Sequence, residues 1–339
     1  MSSTNVLPFH PLPLIGRPHL QTILASSIRL VSEPPSKTIA VAVDDGDELG
    51  VEISTPSTWR PEEPTVVLIH GLCGCHRSAY LVRMARKLYR RGVRAVRMNL
   101  RGCGSGRGLA RRPYHSGQSG DALAVLNFLL QDTPASPTSL VGFSLGGNIA
   151  LKLAGELGER GTELLQRVIA VCPPANLDAC SALIDSPRNR LYSWHFVSIL
   201  RDNVADRQRL FPSLPAVELP KRLTLRQFDE LYTAPQCGFE DAADYYRQSS
   251  SAQFVPRISI PTTILFADDD PVIDTAVFVD TPLPRNVDVV HVANGGHMGF
   301  LGVPGSPGGY RWLDSQLLDW LEDSFRQGLI HETARDASN

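Results

Sequence analysis

The stretch "SLVGFSLGGN" (residues 139–148) decides the fold, because it reads as a strand, a sharp turn and the start of a helix. Ser144 stands between two glycines in a G-x-S-x-G pattern, which chance alone would produce in about one chain in ten of this length. The apolar run before Ser144 and the helical pattern after it are the context that a nucleophile elbow requires. We therefore predict that Ser144 is a nucleophile.

The glycines around Ser144 have a physical role in this prediction. Gly142 and Gly146 carry no side chains, so the helix can begin close to the strand. The N-terminus of that helix points its positive end at the site. The alternative is that Ser144 only caps the helix, a position that serine favours.

Apolar runs and helical patterns alternate along most of the chain. We predict strands at 65–71, 93–102, 138–143, 167–174, 262–268 and 287–293, and helices at 78–92, 119–132, 145–158 and 310–328. A pair of strands around the turn Asp45-Gly46 precedes them. This alternation implies βαβ units, so we expect an α/β fold with a mostly parallel central sheet and helices on both faces.

Between about 175 and 255 no further strand is predicted, and the hydrophobic patterns are helical. We expect a helical cap insertion there, over the sheet edge at which ligands bind in such folds. The predicted organisation is an irregular N-terminal arm (1–35), a core in two pieces (36–174 and 256–328), the helical cap insertion (175–255) and a C-terminal tail (329–339).

A serine hydroxyl needs a base within hydrogen-bond reach, and in this fold the acid and then the histidine follow the serine along the chain. His297 lies in the glycine-flanked loop "NGGHMGFL" (294–301), after the last strand and before the last helix. We prefer it as the base. The other downstream histidines lie in the insertion, within a strand and in the C-terminal tail: His195, His291 and His331.

The acid is expected where the preceding strand ends, in "ADDDPVID" (267–274). We choose Asp270, which stands directly before Pro271, and keep Asp269 as the alternative. Three adjacent carboxylates cannot all face one imidazole, and like charges this close raise each other's pKa unless some are solvated. A metal site at the three aspartates would need further ligands, which the neighbouring sequence does not supply.

Two backbone N–H groups should stabilise the oxyanion. One belongs to Leu145, the residue after the nucleophile. The other is predicted to belong to Leu72, in the loop after the first long parallel strand. His70, beside the turn at Gly71, is interpreted as shaping that loop. The glycine-rich "NLRGCGSGRG" (99–108) lacks the G-K-[ST] ending of a phosphate loop, so we expect its Arg101 to brace carboxylates.

Composition excludes several functional classes. The 339 residues carry a formal net charge of −2, which does not favour a nucleic-acid partner. We find no run of about 18 apolar residues and no secretion signal, so we expect no integral membrane segment. Six scattered cysteines favour a reducing cytoplasm. "CGCH" (73–76) lacks a second ligand pair, so we expect no metal. Nothing in the composition indicates an oligomeric state.

Six motifs together resemble the YheT-like branch of the α/β-hydrolases, which includes bacterial hydrolases and eukaryotic abhydrolase-domain lipases. They are "RPHLQTILAS" (17–26), "HGLCG" (70–74), "NLRGCGSG" (99–106), "VGFSLGGNIALKLAGE" (141–156), "ADDDPVI" (267–273) and "GGHMGFL" (295–301). The family's triad falls on Ser144, Asp270 and His297. The resemblance implies hydrolysis of carboxylic esters, either short-chain esters or acylglycerols, without a cofactor.

One loop departs from the usual pattern of this branch. After His-Gly the branch has G-L-G-G-S, whereas this chain has "GLCGCHRSAY" (71–80), with Cys73, Cys75 and His76 near the acyl site. Two alternatives to an esterase remain open at this point. An acyltransferase would use the same triad with an alcohol or thiol in place of water, and a catalytically silent binding protein would share only the fold.

Overall fold

A computed structural model describes residues 4–27, 31–280 and 283–336. Within them, nine strands form one sheet in the order β1-β9-β8-β7-β6-β4-β5-β3-β2. The strands are β1 Thr4–Val6, β2 Lys37–Ala42, β3 Glu48–Ser54, β4 Thr65–Ile69, β5 Arg94–Met98, β6 Thr138–Phe143, β7 Arg167–Val171, β8 Thr262–Ala267 and β9 Val287–Val292. Only the pairs β2–β3 and β3–β5 are antiparallel, so the predicted α/β fold with a mostly parallel sheet is confirmed.

The central strands are buried along their length, which explains why they read as continuous apolar runs. Every residue of β4, β5 and β8 is buried. Strands of a parallel sheet lie between two layers of helices and therefore cannot alternate apolar with polar residues. The predicted hairpin at Asp45-Gly46 is β2 and β3, and Gly46 adopts the positive φ of 84° that its turn requires.

Helices connect most of the strands. They are α1 Pro18–Ser27, α2 Ala79–Arg90, α3 Ser119–Asp132, α4 Leu145–Leu157, α5 Gly161–Leu164, α6 Leu177–Ile184, α7 Arg190–Leu210, α8 Leu225–Phe228, α9 Ala234–Cys237, α10 Ala242–Ser249, α11 Val277–Asp280 and α12 Trp312–Asp336. The ion pair between Arg83 and Asp314 joins α2 to α12. Helix α3 packs against α4, which follows Ser144 and is buried along almost its whole length.

The expectation of an irregular arm was wrong for part of residues 1–35. Strand β1 extends the sheet by pairing in parallel with β9, and α1 is a helix of ten residues. Pro18 occupies the first position of α1, where the missing N–H costs nothing. The prolines of the arm therefore mark a helix start as well as irregular chain.

The segment between β7 and β8 contains helices and no strand among its residues, as expected. Thr224 and Gln227 form a capping box that starts α8, and a π-helical turn, Asp229–Thr233, follows directly. The division of the chain into arm, core, cap and tail stays a prediction. In the described part of the chain, no helix combines the length and the apolar character needed to cross a bilayer.

Candidate active site

Ser144 occupies a strained turn between β6 and α4. Its φ of 53° and ψ of −120° are values that residues with a side chain rarely adopt. The Ser144 N–H donates to the Val171 carbonyl at 2.8 Å, so the turn continues the pairing of β6 with β7. The hydroxyl makes no capping hydrogen bond to α4. The helix-cap alternative therefore does not account for this serine.

The two flanking glycines are required by contact distances. A Cβ on Gly142 would lie 2.1 Å from the Gly146 carbonyl oxygen. A Cβ on Gly146 would lie 2.5 Å from the Ile69 carbonyl oxygen in the neighbouring strand. Either substitution would push α4 away from the sheet, so the G-x-S-x-G pattern follows from how closely the helix approaches the strands.

The structure brings Ser144, His297 and Asp270 together. The Nε2 atom of His297 lies 2.8 Å from Oγ of Ser144. Its Nδ1 atom lies 2.8 Å from Oδ2 of Asp270. The Asp270 side chain is 0% exposed, and its other oxygen accepts the N–H groups of Val272 and Ile273. An imidazole held in this way has Nδ1 as donor and Nε2 free to accept the serine proton.

The other aspartates of the same loop make different contacts. Asp269 accepts the N–H groups of Gly295 and Gly296 at 2.9 and 2.8 Å, and so holds the loop that carries His297. Asp268 pairs with His291 at 2.7 Å near the surface. The remaining candidates lie apart from this cluster: Asp274 accepts its own loop's Ala276 N–H, His195 is exposed on α7, and the side chain of His331 lies outside the described residues.

The N-terminal arm supports the histidine loop, which the sequence reasoning did not foresee. The N–H of His297 donates to Oγ1 of Thr22 at 2.9 Å. Gln21 is fully buried and bonds both the N–H and the carbonyl of Leu301. Gln21 and Thr22, two polar residues inside the apolar motif "RPHLQTILAS" (17–26), were the sequence signal for this contact, because buried polar side chains need specific hydrogen-bond partners.

The two predicted oxyanion donors face the same cleft as Ser144. Leu72 and Leu145 both line it, and among the described residues neither of their N–H groups has a hydrogen-bond partner. Leu145 is the first residue of α4, where helix geometry leaves the N–H unpaired. The neighbouring N–H groups of Gly71 and Cys73 instead donate to the hydroxyls of Tyr80 and Tyr114. These tyrosines fix the loop in which the Leu72 N–H stays available.

His70 has the contacts of a structural residue, as interpreted from the sequence. Its Nδ1 bonds the Gly71 carbonyl at 2.8 Å and its Nε2 accepts the Leu100 N–H at 3.1 Å. Burial lowers the pKa of His70 to about 4, so the ring is neutral at physiological pH. With both nitrogens engaged, His70 cannot serve Ser144 as a base.

Cys172 is a fully buried neighbour of the site. Its Sγ, an Asp270 oxygen and a His297 nitrogen all lie within 4.8 Å of one another, the one such donor group in the described ranges. Burial and the Asp270 charge raise the pKa of this thiol, so it is protonated. Cys73, Cys75 and His76 do not converge; His76 bonds Asn99 instead.

Arg101 braces carboxylates beside the cleft, as expected. Its guanidinium makes two hydrogen bonds to Asp121, at 2.8 and 2.7 Å, and further bonds to Asp45 and Asp47. These partners raise the pKa of Arg101 and keep it charged although the side chain is buried. Removing one partner from such a buried pair costs about 3–5 kcal/mol, so this network fixes the loop at 99–108.

A cleft with a cavity volume of about 150 Å³, partly open to solvent, leads to Ser144. Its walls are mainly aliphatic and aromatic side chains from the helices between β7 and β8: Leu177, Ile184, Phe196, Leu200, Val204, Leu225, Phe228 and Tyr232. Asp229 adds a carboxylate, which accepts hydrogen bonds from Thr233 and Tyr246. Burial raises the pKa of Asp229 to about 6. The walls of the cleft therefore suit an apolar group next to the serine.

A parallel sheet with a serine on a strand–helix turn defines the class of α/β hydrolases. The family model described as "alpha/beta hydrolase fold" matches residues 64–303 of the chain. Among solved structures, the Pyrococcus furiosus esterase Pf2001 is similar, with a TM-score of 0.55 and 15% identity over 87% of this chain and 98% of that one. Est1E from Butyrivibrio proteoclasticus has a TM-score of 0.55 and 13% identity over 85% and 99%. At these identities the likeness shows the fold alone.

Curated relatives narrow the class. The "Putative esterase YheT" of Escherichia coli (strain K12) is 33% identical over 92% of both chains. "Phospholipase ABHD3" of Homo sapiens is 27% identical over 83% of this chain and 70% of that protein. "Monoacylglycerol lipase" of Saccharomyces cerevisiae is 27% identical over 77% and 59%. The chain belongs to the α/β hydrolase family, in its YheT-like branch, as the sequence motifs predicted.

Proposed function

We propose that this protein is a carboxylic ester hydrolase that works through Ser144, His297 and Asp270 and forms an acyl-enzyme. One observation carries the proposal. The Ser144 hydroxyl and the Asp270 carboxylate each lie 2.8 Å from opposite nitrogens of His297, beside a cleft with apolar walls. The names of the relatives, an esterase, a phospholipase and a monoacylglycerol lipase, agree with ester substrates.

In the first half of the reaction, Oγ of Ser144 attacks the ester carbonyl while Nε2 of His297 takes its proton. The negative charge on the carbonyl oxygen is met by the N–H groups of Leu72 and Leu145. Asp270 keeps Nδ1 protonated and stabilises the imidazolium. Collapse of the tetrahedral intermediate transfers the proton from His297 to the leaving alcohol and leaves the acyl group on Ser144.

In the second half, His297 takes a proton from water, and the resulting nucleophile attacks the acyl-enzyme. The same two N–H groups stabilise the second oxyanion. His297 then returns a proton to Oγ of Ser144, and the carboxylic acid leaves. The apolar walls of the cleft suit a substrate with an aliphatic acyl chain, since burying each CH₂ contributes about 0.8 kcal/mol. Short-chain esters and acylglycerols both satisfy this requirement.

The test is a Ser144→Ala variant assayed on p-nitrophenyl butyrate and with a fluorophosphonate probe. We expect kcat/KM to fall by about 10⁵-fold or more, because nucleophile and base act as a unit. The probe should label the wild type at Ser144 and leave the variant unlabelled. Retention of turnover by a pure Ser144→Ala preparation would contradict the proposal.

Ser139→Ala is the matched control. Ser139 lies in β6, five positions before the nucleophile, and its buried Oγ has no hydrogen-bond partner. Removal of the Ser139 hydroxyl should leave probe labelling and kcat/KM within about twofold of the wild type, since no hydrogen bond is lost. Product analysis with an added alcohol separates hydrolysis from acyl transfer: an accumulating new ester would replace the hydrolase assignment by an acyltransferase one.

A further inference from the structure

The N-terminal arm and the helices α6 and α7 expose several large apolar side chains. Leu14 is 96% exposed, Leu191 is 74% exposed and Trp194 is 70% exposed. Leu14 also has a positive φ of 71°, so a leucine stands in a strained turn with its side chain in solvent. We call the following six exposed residues the apolar rim: Leu14, Leu20, Ile23, Leu183, Leu191 and Trp194. Apolar groups that cluster in this way mark interaction surfaces.

Four of the six rim residues lie on two helices, α1 and α7, that contact each other. Leu20 and Ile23 are three positions apart on α1, and Leu191 and Trp194 are three apart on α7, so each pair lies on one helix face. His19 of α1 bonds the Tyr192 hydroxyl of α7 at 3.1 Å, and the two rings stack with centroids 5.7 Å apart. This contact joins the two apolar faces into one surface.

The same two helices hold the proposed catalytic loops. Thr22 of α1 accepts the N–H of His297. Asn189, directly before α7, donates to the carbonyl of Pro271, which follows Asp270. Phe196 and Leu200, further along α7, line the cleft from inside. Helix α7 therefore carries rim residues on its exposed side and cleft-lining residues on its inner side.

The charged side chains in the two stretches that carry five of the six rim residues have one sign, whereas the sixth, Leu183, lies two positions before Asp185. Residues 6–27 and 186–201 contain no aspartate or glutamate, although the whole chain has a net charge of −2. Arg17, Arg188 and Arg190 are exposed in these stretches, and none of them takes part in an ion pair among the described residues. Exposed cations next to apolar side chains are complementary to a layer of anionic headgroups above acyl chains.

We propose that the apolar rim docks on the surface of a bilayer that contains anionic phospholipids. Leu14, Leu191 and Trp194 enter the boundary between headgroups and acyl chains, and the three arginines contact the phosphates. In the docked state α7 lies between the lipid and the cleft, which places Ser144 near the surface that supplies an ester substrate. Docking itself does not depend on catalysis; its use for substrate delivery rests on the proposed function.

The test measures the binding of the Ser144→Ala protein to vesicles of phosphatidylcholine with phosphatidylglycerol, by co-sedimentation and by tryptophan fluorescence. Trp194 is the exposed tryptophan, so docking should shift its emission to the blue, and Trp194→Phe should abolish that shift. Leu191→Asp should lower the partition coefficient by about 10- to 100-fold, since a buried leucine contributes about 1.5–3 kcal/mol. Raised salt and pure phosphatidylcholine should each weaken binding.

Leu130→Asp is the matched control. Leu130 is also exposed, but it lies near the end of α3, beside Asp132, which pairs with Arg94 at the start of β5. It is therefore at the opposite edge of the sheet from Ser144, and its substitution should leave vesicle binding unchanged. When Leu191→Asp and Leu130→Asp are made in protein that keeps serine at position 144, both should hydrolyse p-nitrophenyl butyrate as the wild type does, because neither leucine lines the cleft.

Three results would overturn docking: no vesicle binding at low salt, equal losses for Leu191→Asp and Leu130→Asp, or a dimer in solution that Leu191→Asp dissociates. The last would make the rim an interface between two copies of the chain. The two proposals fail separately. Vesicle binding without turnover of any ester by the wild type rejects the proposed function alone, and turnover without vesicle binding rejects docking alone.

Discussion

Two Asp–His pairs lie side by side at the ends of β8 and β9, with similar distances between the paired atoms but different surroundings. Asp270 and His297 are 2.8 Å apart with side-chain exposures of 0% and 11%. Asp268 and His291 are 2.7 Å apart with exposures of 47% and 20%. The first imidazole has the Ser144 hydroxyl at its second nitrogen. Among the described residues, no hydroxyl lies at the second nitrogen of His291, and the ring of His291 stacks on Phe266.

The comparison teaches that an Asp–His distance does not identify a catalytic pair. A carboxylate in water interacts weakly with its neighbour, because the solvent screens the charge and competes for its hydrogen bonds. A buried carboxylate with fixed N–H donors holds one tautomer of the imidazole. Burial and the hydroxyl at Nε2 distinguish Asp270 and His297 from their surface neighbours, so the first two predictions below change one pair and use the other as control.

The largest effect is expected for the histidines. His297→Ala should lower kcat/KM on p-nitrophenyl butyrate by about 10⁵-fold, since the serine loses its base. His291→Ala should stay within about twofold, because only a surface pair and a ring contact are lost. Steady-state kinetics on both variants, with circular dichroism to check folding, measure this. Comparable losses in the two variants would remove the distinction between the pairs.

The aspartates should follow with a smaller effect. Asp270→Asn should lower kcat by about 10³- to 10⁴-fold, because an amide at this position can donate to Nδ1 and so force the proton onto Nε2. Asp268→Asn should leave kcat within about twofold. Steady-state kinetics on p-nitrophenyl butyrate measure this effect. Thermal unfolding of each variant shows whether a loss of kcat comes from the wrong tautomer of His297 or from loss of the folded structure. A nearly unchanged kcat for Asp270→Asn would mean that another group orients His297.

The sequence predicted the sheet correctly, because its signals are local, and the structure places the three chosen side chains within hydrogen-bond distance of one another. Buried parallel strands are continuous apolar runs, and the contact distances around Gly142 and Gly146 leave almost no alternative to glycine there. The positions of Asp270 and His297 follow from the order of elements in the fold. Their roles in catalysis stay predictions until the variants above are made.

What the sequence did not predict are contacts between distant segments. Helix α1 was missed because prolines dominate the arm, and the bond from His297 to Thr22 joins residues 275 positions apart. Asp269 was kept as an alternative acid, whereas the structure shows it bonded to the N–H groups of Gly295 and Gly296. No pattern along the chain distinguishes a carboxylate that faces an imidazole from one that faces the backbone beside it.

Asp269 gives the smallest and most discriminating prediction. Asp269→Ala leaves two N–H groups of the histidine loop without an acceptor, so His297 should sit less accurately against Ser144. A displacement of about 1 Å of a catalytic group costs about 10²-fold, so we expect kcat to fall by 10- to 100-fold. Asp269→Asn should recover most of this loss, because its carbonyl oxygen can still accept from Gly295 and Gly296.

The neighbouring Asp268→Ala is the control for removing one charge from the same loop. If it matched Asp269→Ala, the effect would come from the loss of negative charge near His297, and the loop-holding role would be wrong. If both were silent, Thr22 and Gln21 would suffice to hold the loop from the arm. A drop confined to Asp269→Ala, with recovery in Asp269→Asn, would mean that three consecutive aspartates serve three functions: a surface pair, a loop anchor and the acid beside His297.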